Sequence, residues 1–482
     1  MLLLLPLLLG CQPEPKADAR PPAPEVDDSG PVGDTDAPSR ASPIVVVWTV
    51  DTLGTIAATE TGFCEALDDV ARSRGLDTAC LDRGVSTASW TGESHTRLLW
   101  PENLTGDGVA RGAPVCGTRS VLAQIANAFH ADYLVGLDNP FFENLAVAQD
   151  CGNGRTSWTQ DATQSWTLGL KVDVEAVAEA NRPASLAIDA LLAATAEGRS
   201  AVALLNTYEA GGHKPRCWFD PDTAACRQLY QLALDAGAAD PKDDPAEAWR
   251  TYTVLTTIVN ESQRVYADDP ATLRTLWWGT ITEQVDWFRP MFVDARLDRL
   301  LAGLAAQDRL DDLVLIVLGD HGENTATPNV RTGEIQMFHS DLPTEYTAEV
   351  PVLTIPASLG AALREQGLAG DGTAVWSTPN LAWGLLAQFD LGVPASWPSP
   401  EPVGSASSWE CLAVPGGVRI SGDESVRCDT SGCGAWSWQL PLQRTDDPTP
   451  LAEVPAALAA WTDPSGAAPW FQTACTGPAK AR

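Results

Sequence analysis

Five histidines stand in the chain, at positions 95, 130, 213, 321 and 339, and their surroundings give the first chemical signal. His321 lies in LVLIVLGDHGE, residues 313–323, where a largely branched apolar run ends in Gly319-Asp320-His321-Gly322-Glu323. Carboxylate oxygen and neutral imidazole nitrogen are ordinary ligands of a divalent metal. Glycines on either side let backbone turn sharply and approach closely. Residues 313–318 read as a strand buried on both faces. The cluster therefore falls beyond the carboxyl end of a strand, where open α/β sheets bind ligands. His95, His213 and His339 likewise sit in loops after expected strands or in polar, motif-like stretches, a distribution that packing alone does not produce. His130 ends a helical pattern, where a positive group suits the macrodipole, and reads as structural.

The elements that must place these residues alternate in type. IVVVWTV, residues 44–50, reads as a buried parallel-type strand with Asp51-Thr52-Leu53-Gly54 at its carboxyl end. Further strands are expected at 133–135, 201–205 and 350–355. Helical periodicity covers 61–74, with Phe63, Leu67, Val70 and Ala71 on one face, and recurs at 120–129, 186–196, 293–306 and 380–389. This alternation predicts an α/β fold whose central sheet is largely parallel with helices on both faces. The strand at 201–205 leads to Asn206-Thr207-Tyr208-Glu209 and the turn Gly211-Gly212-His213-Lys214-Pro215, and residues 217–250 read as an insertion over one end of the sheet. After Pro394 the texture becomes rich in Pro, Ser and Gly. Short antiparallel strands are expected at 417–421 and 436–440 and a closing helix at 452–461, giving a small C-terminal α+β subdomain over 396–482.

A chain of 482 residues suits one large α/β domain, here 43–395, plus something smaller. The formal net charge of −32, from 63 acidic and 31 basic residues, excludes nucleic acid as a partner, since phosphate backbones require Lys and Arg. The opening MLLLLPLLLGC carries an apolar run too short to span a bilayer as a mature helix and reads as a secretory signal, residues 1–11. Its ending Leu8-Leu9-Gly10-Cys11 resembles a bacterial lipobox, which makes Cys11 the lipidated residue and the membrane a partner; a plain cleaved signal is the alternative. Residues 12–42, rich in Pro, Asp, Ala and Ser, read as a disordered tether. Ten further cysteines fit up to five disulfides in an exported, envelope-bound protein. Close spacing offers Cys64–Cys80, Cys217–Cys226 and Cys428–Cys433, with zinc as a rival for the last pair; connectivity stays open.

Taken in order, VVVWTVDTLG, TASWTGESHTRLL (87–99), SVLAQIANAFHADYLVGL, AVALLNTYEAGGHKP, VLGDHGEN and FHSDLPTEYTAEVPVLTIP, with the tail WSWQLPLQRTDDPTPLAEVPAALAAW, resemble the sulfatase family of the alkaline phosphatase superfamily. The resemblance spans about residues 43–460 and implies an alkaline-phosphatase-like fold. It implies that Asp51, Asp320 and His321 hold a divalent metal ion (calcium, magnesium, manganese or zinc). It places Thr91 at the nucleophile position and His213 among the catalytic groups, and assigns His339 and His95 to substrate or a second metal. The chain also departs from the family. Where the family reads Cys/Ser/Thr-x-Pro-Ser-Arg/His-Ala-Ser, this chain has Thr91-Gly92-Glu93-Ser94-His95, so the formylglycine of classical sulfatases is not formed. Gly136-Leu137-Asp138-Asn139 stands where many sulfatases carry Gly-Lys-Trp-His. The implied activity is hydrolysis of a phosphate, phosphodiester or sulfate ester, small and anionic, with phosphorus preferred because Thr serves in phosphodiesterase and phosphonate-cleaving relatives. Two alternatives stand beside it: a catalytically degenerate binding protein of the cell envelope, and transfer of a phosphorus-containing head group.

Overall fold

A computed structural model of the protein describes residues 42–86, 91–100, 116–140, 142, 151, 155–169, 177–208, 223–235, 262, 264–266, 268–323, 327–328, 335–336, 345–367, 376–394, 404–407, 416–421, 424–429, 432–439 and 443–444. All of these belong to one compact unit, Ala41–Arg482.

Eight strands form the central sheet: β1 (Ile44–Val50), β2 (Ala79–Val85), β3 (Asp132–Leu137), β4 (Gln164–Thr167), β5 (Ala201–Thr207) and β6 (Leu313–Gly319), then, past the small pair β7 (Thr327–Pro328) and β8 (Ile335–Gln336), β9 (Glu349–Ile355) and β10 (Trp376–Ser377). Their spatial order is β10-β2-β9-β6-β1-β5-β3-β4. The neighbours β6, β1, β5, β3 and β4 pair parallel, as do β10 and β2, while β9 runs antiparallel to both β6 and β2. The α/β class and the largely parallel sheet therefore stand as expected; the reversed β9 is new, because a local apolar pattern carries no strand direction.

Strand side chains alternate between two apolar layers, which is why β1 and β6 read as continuous apolar runs. Ile44, Val46, Trp48 and Val50 pack on one side with α2 (Phe63–Ser73), reached through the short α1 (Thr55–Glu60), and with the helices Pro183–Ala196 and Asp298–Ala306. Val45 and Val47 pack on the other side with α3 (Thr91–Leu99), α4 (Val121–Ala128) and the helices Ala357–Gly367 and Thr378–Gln388. Each aliphatic side chain so buried contributes about 1.5–3 kcal/mol relative to exposure. Ser120 caps α4 by accepting the Ala123 N–H at 3.1 Å, and His130 follows that helix in a left-handed conformation with φ 50°. The expected helix at 293–306 is instead the end of a longer run: Pro270–Pro290 continues into a π-helical turn, Met291–Leu297, and then Asp298–Ala306.

Disulfides join Cys64 to Cys80, as expected, and Cys116 to Cys151, which spacing did not single out. Cys226 is disulfide-bonded as well. Cys428 and Cys433 are register partners in a separate five-stranded antiparallel sheet of β11 (Gly404–Ser407), β12 (Gly416–Ser421), β13 (Glu424–Asp429), β14 (Gly432–Gln439) and β15 (Gln443–Arg444). The helix expected at 452–461 lies outside the described residues.

Candidate active site

Register builds the site. Val50 of β1 pairs with Gly319 of β6 on one side and Thr207 of β5 on the other, so Asp51 and Asp320 emerge side by side from adjacent strand ends. The strands can approach there because residue 319 is glycine: a Cβ would meet the Leu53 carbonyl oxygen at 2.0 Å. Thr52 takes a left-handed φ of 54°, sparsely populated for a non-glycine residue. Its N–H donates to Asp320 Oδ1 at 2.9 Å, and the His321 N–H donates to the same oxygen at 2.9 Å.

Four side chains converge. Thr91, the first residue of α3, donates its hydroxyl proton to Asp51 Oδ1 at 2.8 Å, and its Oγ1 lies 3.2 Å from His321 Nε2. His321 Nδ1 faces the Gly322 carbonyl at 2.9 Å. A carbonyl only accepts, so Nδ1 carries a proton and Nε2 is the ring nitrogen that faces the site. That nitrogen is 3.8 Å from Asp320 Oδ2 and 4.0 Å from Asp51 Oδ1. Asp320 Oδ2 is buried and makes no hydrogen bond among the described residues. Ser94 Oγ, one turn into α3, donates to the Asp320 carbonyl at 2.6 Å and ties the helix to the β6 end.

Electrostatics follow from dryness. Burial, reinforced by the neighbouring Asp320 carboxylate, holds the Asp51 carboxyl well above the usual range, although His321 and the Thr91 hydroxyl pull it back. Burial also pushes Asp320 up to about 7 against the two backbone N–H groups it accepts, and Glu323 up to about 8. Two carboxylates thus meet beside an imidazole where water does not screen them, which disfavours ionisation of both carboxyls unless a cation is present. Ligand atoms of Asp51, Asp320 and His321 lie within 4.8 Å of one another. Their oxygen and nitrogen chemistry, together with the unsatisfied Asp320 oxygen, fits a divalent metal ion.

Around this centre runs a buried polar shell. His95, one helical turn after Thr91, has Nδ1 at 2.7 Å from the Thr91 carbonyl and Nε2 at 2.8 Å from Thr49 Oγ1. Phe142 and Trp158 meet its ring edge-on, and burial lowers its pKa to about 4, so the imidazole is neutral. Its nearer nitrogen is 3.9 Å from Asp320 Oδ2. Asn139, just past β3, donates its side-chain N–H to Asp51 Oδ1 at 3.3 Å. Beside it Asp138 caps the helix Pro183–Ala196 by accepting the Ala184 N–H at 2.9 Å. Arg296, wholly buried on the π-helical turn, forks onto Glu179 at 2.7 and 2.9 Å, reaches Thr207 Oγ1 at the end of β5 at 3.2 Å and pairs with Asp138, just past β3, at 3.5 Å.

Of the residues expected from the sequence, Asp51, Thr91, Asp320 and His321 are brought together, and His95 lies against them with both ring nitrogens engaged by protein groups. His213, His339 and Cys11 lie outside the described residues. Sequence reasoning missed Asn139, Asn206 and Thr49. Gly136-Leu137-Asp138-Asn139 was visible as a strand end, but the target of its amide depends on the register of β3, β5 and β1.

No protein-family model matches the chain, and no curated protein does. Its structural neighbours are sulfatases and other members of the alkaline phosphatase superfamily, the group that the motifs resemble. The chain is similar to a phosphonate monoester hydrolase of Agrobacterium radiobacter at 12% identity over 83% of this chain and 89% of that one, with a TM-score of 0.48. It is similar to a 2-O GAG sulfatase at 9% identity over 82% and 85% of the two chains, with a TM-score of 0.45. An alkaline phosphatase superfamily protein from Vibrio parahaemolyticus matches at 10% identity over 87% and 85%, with a TM-score of 0.42. Likenesses this distant carry no argument about activity, which has to come from the site itself. No helix among the described residues is long and apolar enough to cross a membrane.

Proposed function

We propose that the protein is an exported, metal-dependent hydrolase of small anionic phosphoric or sulfuric esters, with phosphorus preferred, in which Thr91 is the nucleophile. One observation carries the reading: the Thr91 hydroxyl lies 2.8 Å from Asp51 Oδ1 and 3.2 Å from His321 Nε2, against the cluster that fits a cation. Asp51, Asp320 and His321 would hold the calcium, magnesium, manganese or zinc ion, which when bound polarises the ester oxygen and acidifies nearby hydroxyls. Thr91 Oγ1 attacks the phosphorus or sulfur as its proton passes to Asp51 Oδ1, and the bond to the leaving oxygen breaks. Water then cleaves the threonine ester and regenerates the hydroxyl. Thr91 opens a nine-residue helix, whose first N–H groups favour a tetrahedral anion. His213 and His339 are assigned to the same centre on the resemblance alone, and Cys11 to a lipid anchor holding the protein at the bacterial envelope.

A screen of aryl phosphate, phosphodiester, phosphonate and sulfate esters with the wild type and Thr91→Ala tests the reading. Hydrolysis of one class that is lost in the variant supports it. Cation binding without turnover of any class would return the degenerate binding protein as the better account.

A further inference from the structure

Asn139, Asn206 and Thr49 are buried polar side chains that belong to one circuit ending at Asp51. Donor and acceptor chemistry orients its links. The Asn139 backbone N–H can only donate, so Asn206 offers it Oδ1 at 3.2 Å and turns its own amide N–H to Thr49 Oγ1 at 3.0 Å. The Thr91 carbonyl can only accept, so His95 Nδ1 carries a proton, and Nε2 pairs at 2.8 Å with Thr49 Oγ1, which also reaches the Leu205 carbonyl at 3.2 Å. Thr91 Oγ1 then donates to Asp51 Oδ1, and Asn139 Nδ2 donates to that same oxygen from the other end of the circuit. The links from the Asn139 N–H to the Thr91 carbonyl form one connected chain, and the Thr91 hydroxyl and the Asn139 side chain then meet on Asp51 Oδ1.

We propose that Asn139 and Asn206 are positioning residues, which set Asp51 and the Thr91 segment in the geometry that binds the cation and delivers the hydroxyl. The inference rests on the reading that Asp51 holds a divalent cation and that Thr91 is the nucleophile. Sheet register alone aligns Asp51 with Asp320, but it does not set the α3 helix that carries Thr91. The circuit helps to, by tying that helix to β1 through His95 Nε2 and Thr49 and to Asp51 through the Thr91 hydroxyl, beside the Ser94 bond to the Asp320 carbonyl. It also draws on three adjacent strands: Thr49 from β1, Asn206 from β5 and Asn139 from the end of β3. One asparagine holds the carboxylate directly, and the other orients both Asn139 and Thr49.

The test is manganese(II) titration of the full chain, with free ion read by electron paramagnetic resonance, for wild type, Asn139→Leu, Asn206→Leu and the double variant. Outer-shell partners of metal ligands typically change affinity by about 10–100-fold. Each single variant should weaken binding in that range, and the double variant should fall little below the weaker single one, because both act through one circuit. Unchanged Kd in folded variants overturns the proposal and leaves the functional reading intact, as does a double variant whose losses multiply. Absence of binding of manganese, calcium, magnesium and zinc by the wild type overturns the functional reading and this inference with it. Thr49→Val keeps side-chain shape and removes only the hydroxyl link, so it carries the same test if a leucine variant does not fold. Wild-type affinity in Thr49→Val would then overturn the proposal.

Discussion

Asp320→Asn should stabilise the ion-free protein above neutral pH and abolish its stabilisation by metal. The substitution keeps the shape and the acceptor that receives the Thr52 and His321 N–H groups, and replaces the unsatisfied Oδ2 with an uncharged amide. Burial lifts the wild-type carboxyl from 3.8 to about 7. The folded pKa is raised, so stability is full below pH 3.8 and is lost as pH climbs through about 7. At about 1.4 kcal/mol per pH unit, the ionised carboxylate costs the ion-free fold about 4 kcal/mol at pH 8. An amide N–H without an acceptor gives back about 1–3 kcal/mol. The net gain of Asp320→Asn is then about 2 kcal/mol in chelator at pH 8, and it changes sign as the pH falls towards 4, where the charge penalty is nearly gone and the amide penalty remains. A cation at about a hundredfold excess over its Kd adds about 2.7 kcal/mol to the wild type, which draws level and then passes the variant at higher excess. Urea unfolding in chelator and in rising cation concentrations measures both effects. A variant no more stable than wild type in chelator at pH 8, or one that gains as much from the cation, would refute the reasoning.

Thr91→Val should lower kcat by about 10³-fold or more, since a covalent mechanism has no substitute for its nucleophile, while the protein still binds the cation through Asp51, Asp320 and His321; turnover assays and metal titration on one preparation check this. His95, with its pKa lowered from 6.5 to about 4, remains neutral in the fold while the unfolded chain takes up a proton, so stability falls as pH drops from about 6.5 to 4. That loss approaches about 3 kcal/mol, and the stability gap between wild type and His95→Gln should narrow by this amount over the same pH range in urea unfolding; a constant gap would contradict it. Gly319→Ala forces a Cβ to within 2.0 Å of the Leu53 carbonyl. The strand ends must separate, so unfolding free energy should drop by about 3 kcal/mol, with weaker cation binding in whatever folds.

Much of the scaffold was legible because its central strands are buried on both faces. The reading at 44–50 coincides with β1, and 313–318 falls one residue short of β6, since continuous branched apolar runs admit few alternatives. The strand β2, ACLDRGV, was missed: it lacks alternation, and its pairing with β9 shifts register between Leu81 and Gly84. The helix Pro270–Pro290 was missed too, its aromatic and threonine content masking the period, and with it the π-helical turn that carries Arg296 inward. Asp320 and His321 declared themselves by their place after a strand. Asn139 could not, because a single amide acquires meaning only when β3, β5 and β1 are set in register. His95 was visible as a polar histidine near Thr91, whereas its two partners, a backbone carbonyl and a threonine in β1, follow from packing alone.

Metal content tests the central claim most directly. The full chain and its Asp320→Ala variant would be equilibrated with calcium, magnesium, manganese or zinc, freed of excess ion, and measured by elemental analysis against protein concentration. The account predicts stoichiometric retention of at least one ion by the wild type and its loss from the folded variant. A wild type that retains none of the four, or a variant that retains as much, would contradict it.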